Sequence, residues 1–226
     1  DPATPGVQTT FTVPNQGTYT VDNLGEVTFT PVANFNGTTT PVNYTVNDNE
    51  GTTSSPATIT VTVTDVNDAP VAVNDTASTP EDTPVSFDVV GNDTDLDGTI
   101  DPATVDLDPA TLGVQTTFTV PNQGTYTVDN LGEVTFTPVA NFNGTTTPVN
   151  YTVDDNEGTT SSPATITVTV TDVNDAPVAI NDTASTSEDT PVSFDIVGND
   201  TDLDGTIEPA TVDLDPATPG VQTTFT

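Results

Sequence analysis

In the stretch PATITVTVTD, residues 163–172, apolar and hydroxyl side chains alternate without a break from Ala164 to Thr171. Ala164, Ile166, Val168 and Val170 fall on one side of an extended chain, and Thr165, Thr167, Thr169 and Thr171 on the other. A period of two belongs to a strand with one buried face. Val149, Tyr151 and Val153, just upstream, supply a matching inward face. Further strands are expected over 71–78, 84–90, 115–120, 124–129, 132–138 and 146–153, with a weaker one near 103–107. Pro121-Asn122-Gln123-Gly124 and Asn143-Gly144 are turn signals between them. No segment sustains a 3.6-residue period. Short alternating strands spread over about 100 residues predict an all-β sandwich, with the aromatic side chains in its core.

The pattern recurs. DPATPGVQTTFT at Asp1 returns as DPATLGVQTTFT at Asp108 and as DPATPGVQTTFT at Asp215, one copy every 107 residues. Residues 1–119 and 108–226 differ at seven aligned positions, most of them close in size or shape. The alternating run Thr58–Val66 ends in Asn67-Asp68-Ala69-Pro70, an acidic turn followed by proline, which is a linker signal. Boundaries are therefore expected near Asp68 and Asp175. Residues 1–68 then form the back part of one repeat, 69–175 a whole repeat, and 176–226 the front part of the next. The chain ends are expected to be cuts through a longer array.

The charge balance restricts the partners. There are 34 Asp and Glu and no Lys, Arg or His. No side-chain salt bridge can form. Nucleic acid, whose phosphates are neutralised by Lys and Arg, is excluded as a partner, and anionic membrane surfaces are disfavoured. Without Cys there is neither disulfide nor thiolate zinc site. No apolar run reaches the length of a membrane span. General-base and nucleophile chemistry lacks His, Cys and Lys, and the carboxylate pairs sit in turns, so the chain is not read as an enzyme. Dissolved cations are the expected partners.

Thr171-Asp172-Val173-Asn174-Asp175-Ala176-Pro177 resembles the linker of cadherin-like repeats. EDTPVSFDVVGNDTDLDG from Glu81, FTPVANFNGT from Phe136 and YTVDDNEGTTSSPATITVTV from Tyr151 resemble the tandem Ig-like and cadherin-like extender repeats of giant bacterial surface adhesins. The resemblance covers the whole chain. It implies tandem Greek-key Ig-like or cadherin-like sandwiches that bind Ca²⁺ and act as spacers at the cell surface, outside the cell. The Arg of the acidic motif in animal cadherins has no counterpart here, so their calcium sites do not carry over position by position.

The residues themselves point to a cation as well. Asp93-Thr94-Asp95-Leu96-Asp97-Gly98 has the D-x-D-x-D-G spacing that lets alternate carboxylates converge while Gly takes the sharp turn. Thr104 stands where an EF-hand has its closing Glu, so other ligands must come from elsewhere. Strand direction indicates where. If residues 163–172 run toward the exit end of a repeat, then 146–153 run back, and the loop with Asp155 and Glu157 lies at the entry end. The Asp93–Asp97 loop lies there too, as does the incoming linker with Asp65, Asn67 and Asp68. By the same logic Glu81 and Asp82 lie at the exit end near Asp172, Asn174 and Asp175, to be joined by Asp200, Asp202 and Asp204 of the next repeat. Both junctions are expected to hold Ca²⁺. Mg²⁺ tolerates irregular geometry poorly. Glu26, Asp88 and Glu133 are expected to be solvated.

Three functions remain open at this point. One is a calcium-stiffened extender in a surface adhesin or matrix protein, whose main partners are its own adjacent repeats. Another is a glycan-binding or homophilic module. The third is a subunit of an extracellular filament made with like chains.

Overall fold

A computed structural model of the chain describes residues 6–224. The described residues divide into two compact units, one running up to Asp68 and including Leu96–Gly98, the other made of Ala69–Asp95 and the residues from Thr99 onward.

The first unit contains β1 (Thr10–Val13), β2 (Gly17–Val21), β3 (Val27–Pro31), β4 (Gly37–Thr38), β5 (Val42–Tyr44), β6 (Ala57–Ile59) and β7 (Thr62–Val63). β1, β2 and β3 form an antiparallel sheet, while β4 pairs with β7 and β5 with β6. Its core is small: Val13, Tyr19 and Val42 are buried, with Phe11, Phe29, Ile59 and Val61 packed against them.

The second unit contains β8 (Asp75–Pro80), β9 (Val85–Asp88), β10 (Ile100–Asp106), β11 (Thr117–Val120), β12 (Gly124–Val128), β13 (Glu133–Pro138), β14 (Gly144–Thr145), β15 (Val149–Asp155) and β16 (Ala164–Thr171). One sheet runs β11-β12-β13-β9, all antiparallel. The other contains β10, β15, β16 and β14, with β8 alongside β16. The β8–β16 pairing is parallel, from Ile166↔Asp75 to Thr171↔Pro80. The sandwich expected from the alternation is present, and every expected strand of the whole repeat has a counterpart. The first begins later than expected. Val71 makes only an isolated bridge to Thr94, and the Val73 amide is taken by the Asp93 side chain, so the ladder starts at Asp75.

The inward faces of β16 and β15 supply Ala164, Ile166, Val168, Val170, Val149, Tyr151 and Val153, all buried. Tyr126 and Phe136 face them from the other sheet, with ring centroids 4.6 Å apart. The Tyr126 hydroxyl lies 2.8 Å from Thr146 Oγ1, and that oxygen accepts from the Val168 amide. One buried threonine thereby ties the two sheets together. Phe142 packs against this core as well, in keeping with the core position expected of the aromatic side chains.

The two units show what the flanking strands contribute. Val27 and Tyr44 are 41% and 45% exposed, whereas their repeat equivalents Val134 and Tyr151 are fully buried. The local sequences are identical around these positions, VTFT and VNYT. The difference is that β9 covers the edge of β13 and β8 covers β16, while the described residues of the first unit include no such strands. Apolar surface stays wet until a neighbouring strand removes it from water. Residues 176–224 form no strand either. They carry an isolated bridge, Val178↔Thr201, and a 3-10 turn at Pro209–Thr211.

Candidate functional site

The acidic residues sort into two kinds, those that only hold backbone and those that line a cleft, where Glu81 and Asp204 hold backbone as well. Asp155 is the first kind. It is 2% exposed, and its Oδ1 accepts from the amides of Glu157 and Thr159, each at 2.8 Å. Asp48 makes the same turn with Glu50 and Thr52, and these amides, Thr52 foremost, hold its carboxyl below the usual range. Glu157 is exposed. Asp82, at φ 59°, accepts from the Asn141 amide at 3.0 Å.

Asp93 is held beneath the sandwich. Its Oδ1 accepts from Val73 N at 2.8 Å. The buried Tyr151 hydroxyl lies 3.1 and 3.3 Å from its two oxygens, and 2.9 and 3.0 Å from the carbonyls of Val73 and Val89. Asp75, 8% exposed, joins this network. Its Oδ1 accepts from Asn92 at 3.1 Å, while Oδ2 is buried with no hydrogen bond. Burial, with the Asp93 charge adding to it, pushes the Asp75 carboxyl up to about 6. Burial raises Asp93 and Tyr151 too. Sequence reading did not single out Asp75, because nothing in Asn74-Asp75-Thr76 distinguishes a buried carboxyl from a turn.

This network makes stability depend on pH. Asp75 titrates at about 6 in the fold against 3.8 unperturbed, so the folded state holds its proton more tightly. Its contribution is full below pH 4 and is lost as pH rises through 6. In EGTA, urea unfolding of wild type and Asp75→Asn should therefore diverge. Wild type loses on the order of 2 kcal/mol relative to the variant between pH 4 and pH 7. Parallel profiles for the two proteins would refute the assignment.

The second kind of acidic residue gathers at the exit end of the whole repeat. Glu81, Asn141, Asn143, Asp172, Asp175, Leu203 and Asp204 line a cleft of about 510 Å³. β8 and the turn after it place Glu81, the end of β16 places Asp172, and Asp204 comes from the second D-x-D-x-D-G loop. Glu81 is 6% exposed and accepts from the Val173 amide. Asn143 Nδ2 donates to Asp172 Oδ1 at 2.8 Å, as Asn36 does to Asp65 at 2.7 Å. The Asp175 amide donates to Asp204 Oδ2 at 3.0 Å. Asn174 Nδ2 donates to the Asp175 carbonyl at 2.9 Å. Asp200 accepts from Ile180 N and Asp202 from Gly205 N, and neither lines the cleft. Sequence reading marked Asn143 as part of a turn and did not single out Asn141 as a ligand.

In the first unit, Asp97 accepts from the Asp68 amide at 3.0 and 3.3 Å. Asn67 and Asp95 are half-buried. Asp88 and Glu133 are exposed and sit directly opposite each other on neighbouring strands, where like charges are unfavourable.

Every donor in the cleft is a hard oxygen or an amide, the set that suits Ca²⁺. Among the described residues, no three carboxylates already converge as a metal shell. Among the described residues no helix is long and apolar enough to cross a membrane.

The fold and these acidic linker ends define a tandem, all-β, Ig-like repeat protein. The chain belongs to the bacterial Ig domain family, whose model matches residues 67–171 and again 174–226. Residues 3–63 match the surface adhesin CshA repetitive domain. Among solved structures, chicken VE-cadherin EC1-2 is similar at 22% identity, covering 68% of this chain and 78% of that one, with a TM-score of 0.35. No curated protein matches the chain.

Proposed function

We propose that the chain is a stretch of calcium-stiffened spacer from a long extracellular adhesin. The observation that carries this reading is the near-exact 107-residue repetition, with carboxylates set at the repeat ends and no protein cation to neutralise them. A catalytic surface needs one site, whereas a spacer needs length, and length comes from copying. The match to a surface adhesin's repetitive domain supports an extracellular setting. In this reading Glu81, Asp172, Asp175 and Asp204 would hold Ca²⁺ with the amide oxygens of Asn141 and Asn143. The ion would supply the positive charge that the sequence lacks. Asp65, Asn67, Asp68, Asp95, Asp97 and Glu157 are proposed to serve the equivalent junction one repeat earlier.

The spacer reading is tested by repeat number. Chains with two, four and six copies of residues 69–175 should lengthen by a constant increment per copy in small-angle scattering at millimolar calcium. A maximum dimension that stays flat as copies are added would show association or collapse, and would exclude a spacer.

A further inference from the structure

We propose that the backbone of residues 172–180 is held locally by a two-sided clasp of side-chain acceptors that needs no bound ion. This goes beyond the calcium reading, because the clasp is made only of hydrogen bonds. From the repeat before, the Glu81 amide donates to the Thr171 carbonyl at 2.9 Å. The buried Glu81 carboxylate then accepts from the next amide but one, Val173. Asn143 holds Asp172 between them. From the segment after, Asp204 accepts from the Asp175 amide, and Asp200 accepts from the Ile180 amide at 2.8 Å. Val178 and Thr201 exchange two backbone bonds, at 2.7 and 3.1 Å.

The linker amides at 173, 175 and 180 therefore end on carboxylates, and these come from both sides. Bonds to an ionised acceptor are the stronger kind. A backbone amide held by a protein acceptor in a linker is also one that water need not satisfy. The following half of the clasp recurs one repeat earlier with the same spacing. There Asp93 accepts from Val73, Asp97 from Asp68, and Val71 bridges Thr94. The first and third Asp of each D-x-D-x-D-G loop are thus positioning residues for the linker that precedes the loop.

Amide hydrogen exchange on the full chain in excess EGTA tests this. Val173, Asp175 and Ile180 should exchange at least about tenfold slower than unstructured amides. Asp204→Ala should return Asp175 to the unstructured rate while Val173 and the core amide of Val168 keep their protection. Glu81→Gln, which retains an acceptor oxygen, should keep Val173 protected, and Glu81→Ala should not. Free exchange of Val173 and Asp175 in EGTA overturns the clasp, whether or not Val168 stays protected. So does an Asp204→Ala chain with Asp175 unchanged. Protection that appears only with calcium would overturn the clasp and leave the calcium reading standing. Protection in EGTA in a chain that fails to bind calcium would do the reverse.

Discussion

Transfer of the chain from millimolar calcium into excess EGTA is expected to reduce its maximum dimension and lower its melting temperature by about 10 °C or more. The cause is electrostatic. Two carboxylates about 5 Å apart repel by roughly 3 kcal/mol at an effective dielectric near 20, and salt screens clustered charges only in part. Glu81, Asp172, Asp175 and Asp204 share one cleft, and the whole chain carries no side-chain cation. An ion that binds only the folded form stabilises it by about 4 kcal/mol at a thousandfold excess over Kd. Asp172→Asn combined with Asp204→Asn should weaken binding while leaving the sandwich formed at high calcium. Scattering and thermal melts decide the matter. Identical dimension and melting temperature in calcium and in EGTA would exclude calcium stiffening.

Phe136→Ala should cost about 3–5 kcal/mol, which is enough to unfold a repeat of ordinary stability. The ring is fully buried and lies across Gly124. A Cβ on that glycine would come within 2.5 Å of both the Phe136 ring and the Thr137 carbonyl. The empty place on β12 is what admits the ring, so Gly124→Ala should also destabilise, by about 1–3 kcal/mol. Phe29 has the same neighbours in sequence but is only half-buried, and Phe29→Ala should cost clearly less. Denaturant midpoints measured for the three variants would show this order. Equal and small losses for Phe136→Ala and Phe29→Ala would mean that the flanking strands do not complete the core.

Alternation made the sheets legible, because Thr and Val at successive positions have only one reading. It was least informative at β10, where Pro102 and three Asp or Thr positions interrupt the period. The convergence of acidic loops was deduced from strand direction, and the cleft gathers Glu81, Asp172, Asp175 and Asp204. The division of labour among the carboxylates was not visible. Asp93 has the spacing of a ligand and Asp155 was placed with it by strand direction, yet both accept backbone amides at short range. Which role a carboxylate takes depends on the amides that reach it once the chain has turned, and spacing alone does not fix that. Asp75 was overlooked for a related reason. Its burial depends on Tyr151 and Asn92, which are distant in sequence.

The parallel pairing of β8 with β16 has a mechanical meaning. These are the first and last strands of the repeat, and they run side by side in the same direction through six residue pairs. A pull on the incoming linker and an opposite pull on the outgoing one drag the two strands lengthwise past each other. The ladder is then loaded in shear, so its bonds must give way together rather than unzip singly from one end. Resistance to such a pull is governed by the unfolding rate rather than by equilibrium stability. A chain of such repeats would bear tension along its own length.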